Sequence, residues 1–396
     1  MMPPKRRFYS GKNYRRACSV EELREIAYQR TPYFAMEYVE GGAEDEISLT
    51  RNREVLRDIH FVPNVLVDTS DRHQRINLFG RESDSPLAIC PTGLNGMLCR
   101  DADVALARAA EKHGIPFCLG TLSTTRLERV AQEAHGRLWM QLYAMTQREI
   151  TQDILNRAEE AGYEALVFTV DSNVFGNREW DRRSYRAPAK LTLRNMLNVA
   201  RHPRWVWDVL IPHGIPRFEN IADFMPPEAK SADAGVAIVT KLFAPDITWK
   251  DVEWLRRKWP RKLIVKGILS PADAVRAVEA GCDGLVVSNH GGRQLDSCVS
   301  SIEALPGIAA QVSGKAAILV DSGFRRGTDV VKALALGADT VMVGRATLFG
   351  LAAGGEAGAG YALSILAEEI DRTLGQLGCR SISELGPHLL KCPFEV

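Results

Sequence analysis

Gly284-Leu285-Val286-Val287-Ser288-Asn289-His290-Gly291-Gly292-Arg293-Gln294-Leu295-Asp296 is the stretch whose reading decides the fold. Its four leading apolar residues, bounded by turn residues, read as a short buried strand. That strand runs straight into a glycine-rich turn carrying a histidine and, three residues later, an arginine. An imidazole titrates near neutral pH, and a guanidinium holds a carboxylate through two parallel hydrogen bonds. The glycines let backbone approach a bound group closely. A lone His-Gly-Gly-Arg also occurs in ordinary turns with a solvated arginine, so the rest of the chain must decide.

Working outward, short apolar runs alternate with helical patterns from residue 86 onward. The candidate strands are Leu87-Cys90, Phe117-Leu119, Leu138-Leu142, Ala165-Val170, Leu263-Lys266, Gly284-Ser288, Ala317-Asp321 and Thr340-Val343. Helical periodicity fills most of the gaps, as in Asp103-His113, Arg148-Glu160, Pro271-Ala280 and Gly327-Leu336. Strands each followed by a helix imply parallel pairing with helical crossovers. The count fits a closed (β/α)8 TIM barrel better than an open doubly wound sheet, and no G-x-G-x-x-G follows the first strand. Ser19 and Glu22 form a capping-box pattern, and residues 19–60 read as an N-terminal helical extension. Tyr361-Leu377 reads as a terminal helix. After strand four the alternation breaks, and residues 178–246, with Trp205 and Trp207, form an insert far longer than an ordinary βα loop. In a barrel this insert emerges over the C-terminal face, as a lid, a docking loop or a membrane-contacting segment. Exposed tryptophans and tryptophans packed on the barrel rim are equally compatible with the sequence.

Composition sets outer limits. A hydrophobic content of 45% and a charged content of 25% belong to an ordinary globular chain. A net charge of +1 argues against a nucleic-acid binder. The eight cysteines form no C-x-x-C pair, which favours a reducing compartment and argues against structural zinc; no metal site is expected. No apolar run approaches the roughly 18 residues of a membrane span. Residues 1–18, rich in Lys and Arg, read as a disordered basic tail, with weak contact to anionic lipid as the lesser reading. Residues 19–385 read as the barrel domain and 386–396 as a C-terminal tail.

Polar residues gather where the strands end. Strand one leads into Pro91-Thr92-Gly93, strand three carries Gln141 and leads to Tyr143, and strand four ends Thr169-Val170-Asp171. Strand five ends Lys266-Gly267, strand seven Asp321-Ser322-Gly323-Phe324-Arg325-Arg326-Gly327, and strand eight Gly344-Arg345. This is the placement expected of a catalytic face. Gly323 with Arg325, and Gly344 with Arg345, pair backbone amides with guanidinium groups after strands seven and eight, where such barrels commonly bind phosphate.

With those motifs assembled, and with Glu40-Gly41-Gly42-Ala43-Glu44-Asp45, the chain resembles the FMN-dependent (S)-2-hydroxy-acid oxidase and dehydrogenase family. That family includes glycolate oxidase, flavin-type L-lactate dehydrogenases and (S)-mandelate dehydrogenase. The resemblance covers about residues 19 to 385. It implies an enzyme that oxidises an (S)-2-hydroxy acid to the 2-oxo acid, with His290 as base and Asp171 hydrogen-bonded to it. Such a charge pair is expected to raise the histidine pKa. The resemblance further implies that Arg293, Arg178 and Tyr38 hold the substrate carboxylate and that Tyr143 lies near the substrate hydroxyl. FMN would be held by Pro91, Thr92, Gly93, Gln141, Thr169, Lys266, Ser288, Asp321, Gly323, Arg325, Gly344 and Arg345. Lys266 would sit by the flavin where charge accumulates on reduction.

Two positions depart from the common pattern. Gly120 followed by Thr121 stands where many members have Ser, so one flavin contact is missing or supplied by a neighbour. Position 93 is Gly, which in the family goes with dehydrogenases slow towards oxygen, where oxidases often carry Ala. The phrases His202-Pro203-Arg204-Trp205 and Trp249-Lys250-Asp251-Val252-Glu253-Trp254 resemble the membrane-associated bacterial lactate and mandelate dehydrogenases, which pass electrons to a quinone or respiratory carrier. The expectation is therefore a cytoplasmic homo-oligomer, a tetramer by resemblance, lying peripherally on the inner face of the cell membrane. L-lactate is the first expected substrate and (S)-mandelate the second, with Leu122 and Met145 as candidate side-chain contacts. The rivals are an oxidase that makes hydrogen peroxide, an FMN-dependent isopentenyl-diphosphate isomerase and a non-catalytic flavin-binding module. The isomerase would not need two carboxylate-binding arginines beside a histidine, and the module would not need His290 and Arg293.

Overall fold

In the computed structural model, which describes residues 9–187, 190–214, 216–225 and 242–394, eight parallel strands close into a barrel. They are β1 (Leu87–Ile89), β2 (Phe117–Leu119), β3 (Leu138–Leu142), β4 (Ala165–Thr169), β5 (Lys262–Ile268), β6 (Gly284–Val287), β7 (Ala317–Val320) and β8 (Thr340–Val343), and β8 pairs with β1 to close the ring. These are the eight runs expected from sequence, and the four helices named there begin and end within a residue of expectation.

Strand residues alternate between two apolar layers. Ala88, Cys118, Trp139, Val167, Ile264, Val286, Leu319 and Met342 point inward and fill the barrel. Their neighbours Leu87, Ile89, Phe117, Met140, Phe168, Val265, Leu285 and Val341 point outward under the helices. Burial on both sides is why the strands read as unbroken apolar runs. Arg137 seals the N-terminal end, donating to Ser83 Oγ and Leu78 O at 2.8 Å and to Glu164. Two residues beyond the inward layer, the same periodicity aims Cys90, Gln141, Thr169, Lys266, Ser288 and Asp321 at the opposite end. Period two alone thus separates a dry core from a polar floor.

Three helices precede the barrel: α1 (Val20–Arg30), α2 (Tyr33–Glu40) and α3 (Ile47–Asp58). Ser19 caps α1, accepting from the Glu22 N–H at 3.2 Å. The Glu22 carboxylate, however, turns away from the cap. It accepts from the Cys18 N–H at 2.6 Å and the Tyr9 N–H at 2.8 Å. Tyr14 packs edge-on to Tyr361 at 5.8 Å, whose hydroxyl donates to Arg15 O and Ala17 O. Residues 9–18, expected to be disordered, are therefore fixed, because a buried carboxylate and a tyrosine satisfy their backbone. Residues 1–8 of that expected tail lie outside the described residues. The expected C-terminal tail is also docked: Leu390–Lys391 pairs antiparallel with His60–Phe61. The terminal helix α4 spans Arg345–Leu377 and is bent at Gly354 and Gly355.

The insert after β4 carries structure of its own. It holds a short helix Glu179–Arg183, the pair Tyr185–Ala187 and Lys190–Leu191, a helix Leu193–Ala200, and a helical run from Pro203 to His213. Trp205 packs on the barrel rim, 7% exposed, its Nε1 donating to Met97 O at 2.7 Å, while Trp207 is 70% exposed. The two tryptophans thus answer the rim-or-surface question differently. Leu193, Met196, Leu197 and Ile211 of the same insert are exposed as well. Among the described residues, no helix is long and apolar enough to cross a membrane.

Candidate active site

A cavity of about 1060 Å³, mouth included, opens on the C-terminal face. Its walls include Pro91, Thr92, Gly93, Gln141, Thr169, Lys266, Asp321, Gly323, Arg325, Gly344 and Arg345, with Tyr38, Tyr143, Arg178, His290 and Arg293. Asp171 stands behind His290, its Oδ1 2.9 Å from Nδ1, and the Ser172 hydroxyl donates to the same oxygen at 3.0 Å. Engagement of Nδ1 leaves Nε2 as the ring nitrogen available to the cavity. Ser288 is the exception among the expected cavity residues. Its hydroxyl is held by Lys266 Nζ at 2.8 Å and accepts from the His290 N–H at 3.0 Å, so it braces two functional residues and does not line the cavity.

The His290 turn is strained in a specific way. His290, Gly291 and Gly292 have φ of 57°, 69° and 74°, three successive left-handed residues. For histidine this conformation costs energy, of order 1 kcal/mol, and such strain clusters at functional sites. Ser322 (φ 83°) and Gly323 (φ 93°) make a second left-handed corner after β7, and the Gly291 N–H donates to Ser322 Oγ at 3.0 Å. Gly267 is needed for another reason. A β-carbon there would lie 2.8 Å from Asp171 Cβ and Cγ, so only glycine lets Asp171 reach His290 past β5.

Charge dominates the walls. Arg178, Lys266, Arg293, Arg325 and Arg345 face the cavity, against the carboxylates of Asp321 and Asp171. Lys266 lies 3.1 Å from Asp321. Burial works against its ammonium, but Asp321 and Asp171 outweigh burial and hold it well above the ordinary lysine range. Among the described residues, none of the four arginines is ion-paired with a carboxylate. Arg345 donates to Val39 O, Gly291 O and Gly41 O, Arg293 to Tyr38 O and Gly41 O, and Arg325 to Phe324 O. Burial, then repulsion from neighbouring guanidiniums, lowers Arg293 and Arg325 to about 10 and Arg345 to about 9. Asp181 also acts on Arg293 and Arg178, yet cations outnumber carboxylates around the cavity, which suits anionic ligands such as a phosphate and a carboxylate.

His290 corrects one expectation. Burial, aided by Lys266 and Arg178, outweighs the pull of Asp171, so its pKa falls below the ordinary value of 6.5 instead of rising. Asp171, although buried, is held down at about 2 by His290 and Lys266. The pair is a carboxylate beside a neutral imidazole, ready to accept a proton.

At position 120 a β-carbon would come within 3.0 Å of Thr92 O. Thr121 does not replace the missing serine in the cavity. Its N–H donates to Gln141 Oε1 at 3.0 Å and its hydroxyl to Gln141 O at 2.7 Å, while Gln141 Nε2 donates to Thr169 Oγ1. Thr121 therefore orients Gln141. Of the two candidate side-chain contacts, Leu122 lines the cavity, whereas Met145 is buried outside it. Sequence reasoning missed Cys90, Phe175 and Ser172. Cys90 and Ser172 adjoin quoted motifs and were within reach, but nothing in the sequence marks Phe175.

The donor set fits FMN. Two guanidiniums and two glycine backbones lie together after β7 and β8, and the Thr92 hydroxyl is buried with no partner among the described residues. Arg325, Arg345, Gly323 and Gly344 would take its phosphate, and Gln141, Thr169 and Lys266 its ring edge.

Comparison with known proteins agrees. A family model described as FMN-dependent dehydrogenase matches residues 27–392. The (S)-mandelate dehydrogenase of Pseudomonas putida is 44% identical over 374 residues, covering 94% of this chain and 93% of that one. The L-lactate dehydrogenase of Chromohalobacter salexigens is also 44% identical, over 366 residues, covering 92% of this chain and 93% of that one. A solved structure described as the monotopic membrane protein (S)-mandelate dehydrogenase superposes with a TM-score of 0.90 at 43% identity, covering 95% of this chain and all of that one. With its barrel, its cationic cavity and these matches across nearly its whole length, the chain belongs to the FMN-dependent dehydrogenase family.

Proposed function

We propose that the protein oxidises an (S)-2-hydroxy acid to the 2-oxo acid, L-lactate first, and passes the electrons to a quinone or another respiratory carrier. The observation that carries this reading is the His290–Asp171 pair flanked by Arg293 and Arg178 in a cavity lined by more cations than carboxylates. Arg293 and Arg178, with the Tyr38 hydroxyl, bind the carboxylate and fix the α-carbon beside His290 Nε2. That nitrogen takes a proton as the substrate is oxidised, and Asp171 stabilises the imidazolium that results. Tyr143 faces the substrate oxygen. Lys266 keeps a permanent positive charge in the floor. FMN, when bound, supplies the two-electron acceptor.

The exposed apolar residues Leu193, Met196, Leu197, Trp207 and Ile211, with exposed Arg194, Arg201 and Arg204 between them in sequence, support peripheral attachment of the insert to the inner face of the membrane. A homotetramer belongs to the same proposal. (S)-mandelate remains the second substrate, favoured by the aromatic walls Tyr143 and Phe175. The purified protein should be yellow and release FMN on denaturation. Steady-state rates with lactate, mandelate and glycolate, each with oxygen or a dye as acceptor, test the rest. Turnover of none of these acids sinks the proposal, and oxygen use at the full catalytic rate makes the protein an oxidase.

A further inference from the structure

Phe243 lies on the limb by which the insert returns to the barrel, far in sequence from every residue expected in the site. Its backbone neighbours are stitched to the loop after β3. The Thr146 N–H donates to Leu242 O at 2.8 Å, the Ala244 N–H to Ala144 O at 3.0 Å, and Met145 and Phe243 form an antiparallel bridge. The ring is buried between two others. Its centroid lies 4.6 Å from Tyr143, tilted by 32°, and 4.9 Å from Phe175, stacked within 15°. Both of those rings line the cavity, and Phe243 does not.

Tyr143 is the ring that matters most to the reaction. Its hydroxyl lies in the field of Asp171, Lys266, Arg178 and Tyr38. Among the described residues that hydroxyl makes no hydrogen bond. Its backbone N–H is fixed by Thr121 Oγ1 at 3.2 Å, which does not set the direction of the side chain. A phenol without a hydrogen bond takes its direction from ring packing, and here the packing partner is Phe243.

We propose that Phe243 is a positioning residue: packed between Tyr143 and Phe175, it braces the Tyr143 ring and so aims the Tyr143 hydroxyl at the substrate. The insert thereby supplies part of the alignment of the reaction. The inference rests on the hydroxy-acid reading for its kinetic test but not for its structural one.

The test is a double-mutant cycle in the full-length holoenzyme, with Phe243→Leu, Tyr143→Phe and the pair, assayed with a dye acceptor. Phe243→Leu should lower kcat about tenfold with KM changed less than about threefold, and Phe243→Tyr should restore the rate. In the Tyr143→Phe background the same Phe243→Leu change should cost less than about twofold. Equal losses in both backgrounds, or no loss in either, overturn the proposal. The structural arm is ¹⁹F NMR with 3-fluorotyrosine at position 143 alone. The wild-type resonance should split or broaden in Phe243→Leu, and an unchanged resonance overturns the proposal even if no acid is turned over. Absence of wild-type turnover, by contrast, counts against the hydroxy-acid reading alone.

Discussion

The two ends of the cavity are made from different kinds of chain. At the end proposed to take the phosphate, Gly323, Arg325, Gly344 and Arg345 follow β7 and β8 within a few residues, so the closed sheet positions them directly. At the other end, Tyr38 comes from α2, Phe175 from the loop just before the insert, Arg178 from its first residue, and Phe243 from its return. His290, Arg293, Asp171 and Tyr143 are the residues there that follow a barrel strand directly. On the proposed reading, the cofactor grip belongs to the barrel, and much of the substrate end to pieces added to it. That division makes distinct demands: changes at one end should alter occupancy, and changes at the other should alter kinetics.

The sharpest challenge is His290→Gln. Flavin reduction by the acid should fall by about 10²–10⁴-fold or more in stopped-flow absorbance, with FMN still bound. Reduction near the wild-type rate removes His290 as the base. At the opposite end, Arg325→Lys should weaken FMN binding by about one to two powers of ten, the worth of a charge-assisted contact of about 1.5–3 kcal/mol. Turnover per bound FMN should stay unchanged, and a fall in kcat at full occupancy would break the division.

The pH profile comes next in size. A depressed His290 pKa means that the imidazole is neutral, and competent as a base, above that value. kcat/KM should therefore rise about tenfold per pH unit on an acid limb below 6.5 and be flat through neutrality. Asp171 pulls the His290 pKa upward, so Asp171→Asn should move the limb to still lower pH. An acid limb centred at 7 or above would show that the carboxylate, not burial, dominates.

The smallest effect is expected from Gly93→Ala, where the ends meet. A β-carbon there lies 3.2 Å from Leu122 Cβ, 3.3 Å from Leu122 O and 3.5 Å from the Tyr38 hydroxyl, so Leu122 must yield by a few tenths of an ångström. Reoxidation of the reduced enzyme by air should quicken several-fold, with a modest loss of dye-linked turnover. A slower oxygen reaction would show that the family association of Gly93 does not carry over.

The same division explains what was legible in the sequence. The barrel was readable because each strand is buried on both sides, leaving an unbroken apolar run that ends in polar residues. The residues proposed to hold the phosphate adjoin those runs. Ser288 was placed on the right strand, yet adjacency along the chain does not reveal that Lys266 occupies its hydroxyl. The sense of the His290 shift escaped because burial is a sum over many distant groups, while the pairing with Asp171 is one visible contact. Phe243 left no signal, since its partners are fixed by a return path across the insert. Residues 9–18 looked disordered because the groups that hold them, Glu22 and Tyr361, come from two separate helices.

The four arginines, without an ion pair among the described residues, carry a consequence for the life of the polypeptide before flavin arrives. A newly made chain must enclose a cluster of like charges that Asp181, Glu40 and Asp329 offset only in part, so closing the site without an anion costs stability. Bound FMN at a hundred times its dissociation constant would return about 2.7 kcal/mol by mass action. Vitamin supply then becomes a control on protein abundance. Cells starved of riboflavin should degrade the chain soon after synthesis, and a pulse–chase experiment showing equal half-lives with and without riboflavin would refute this.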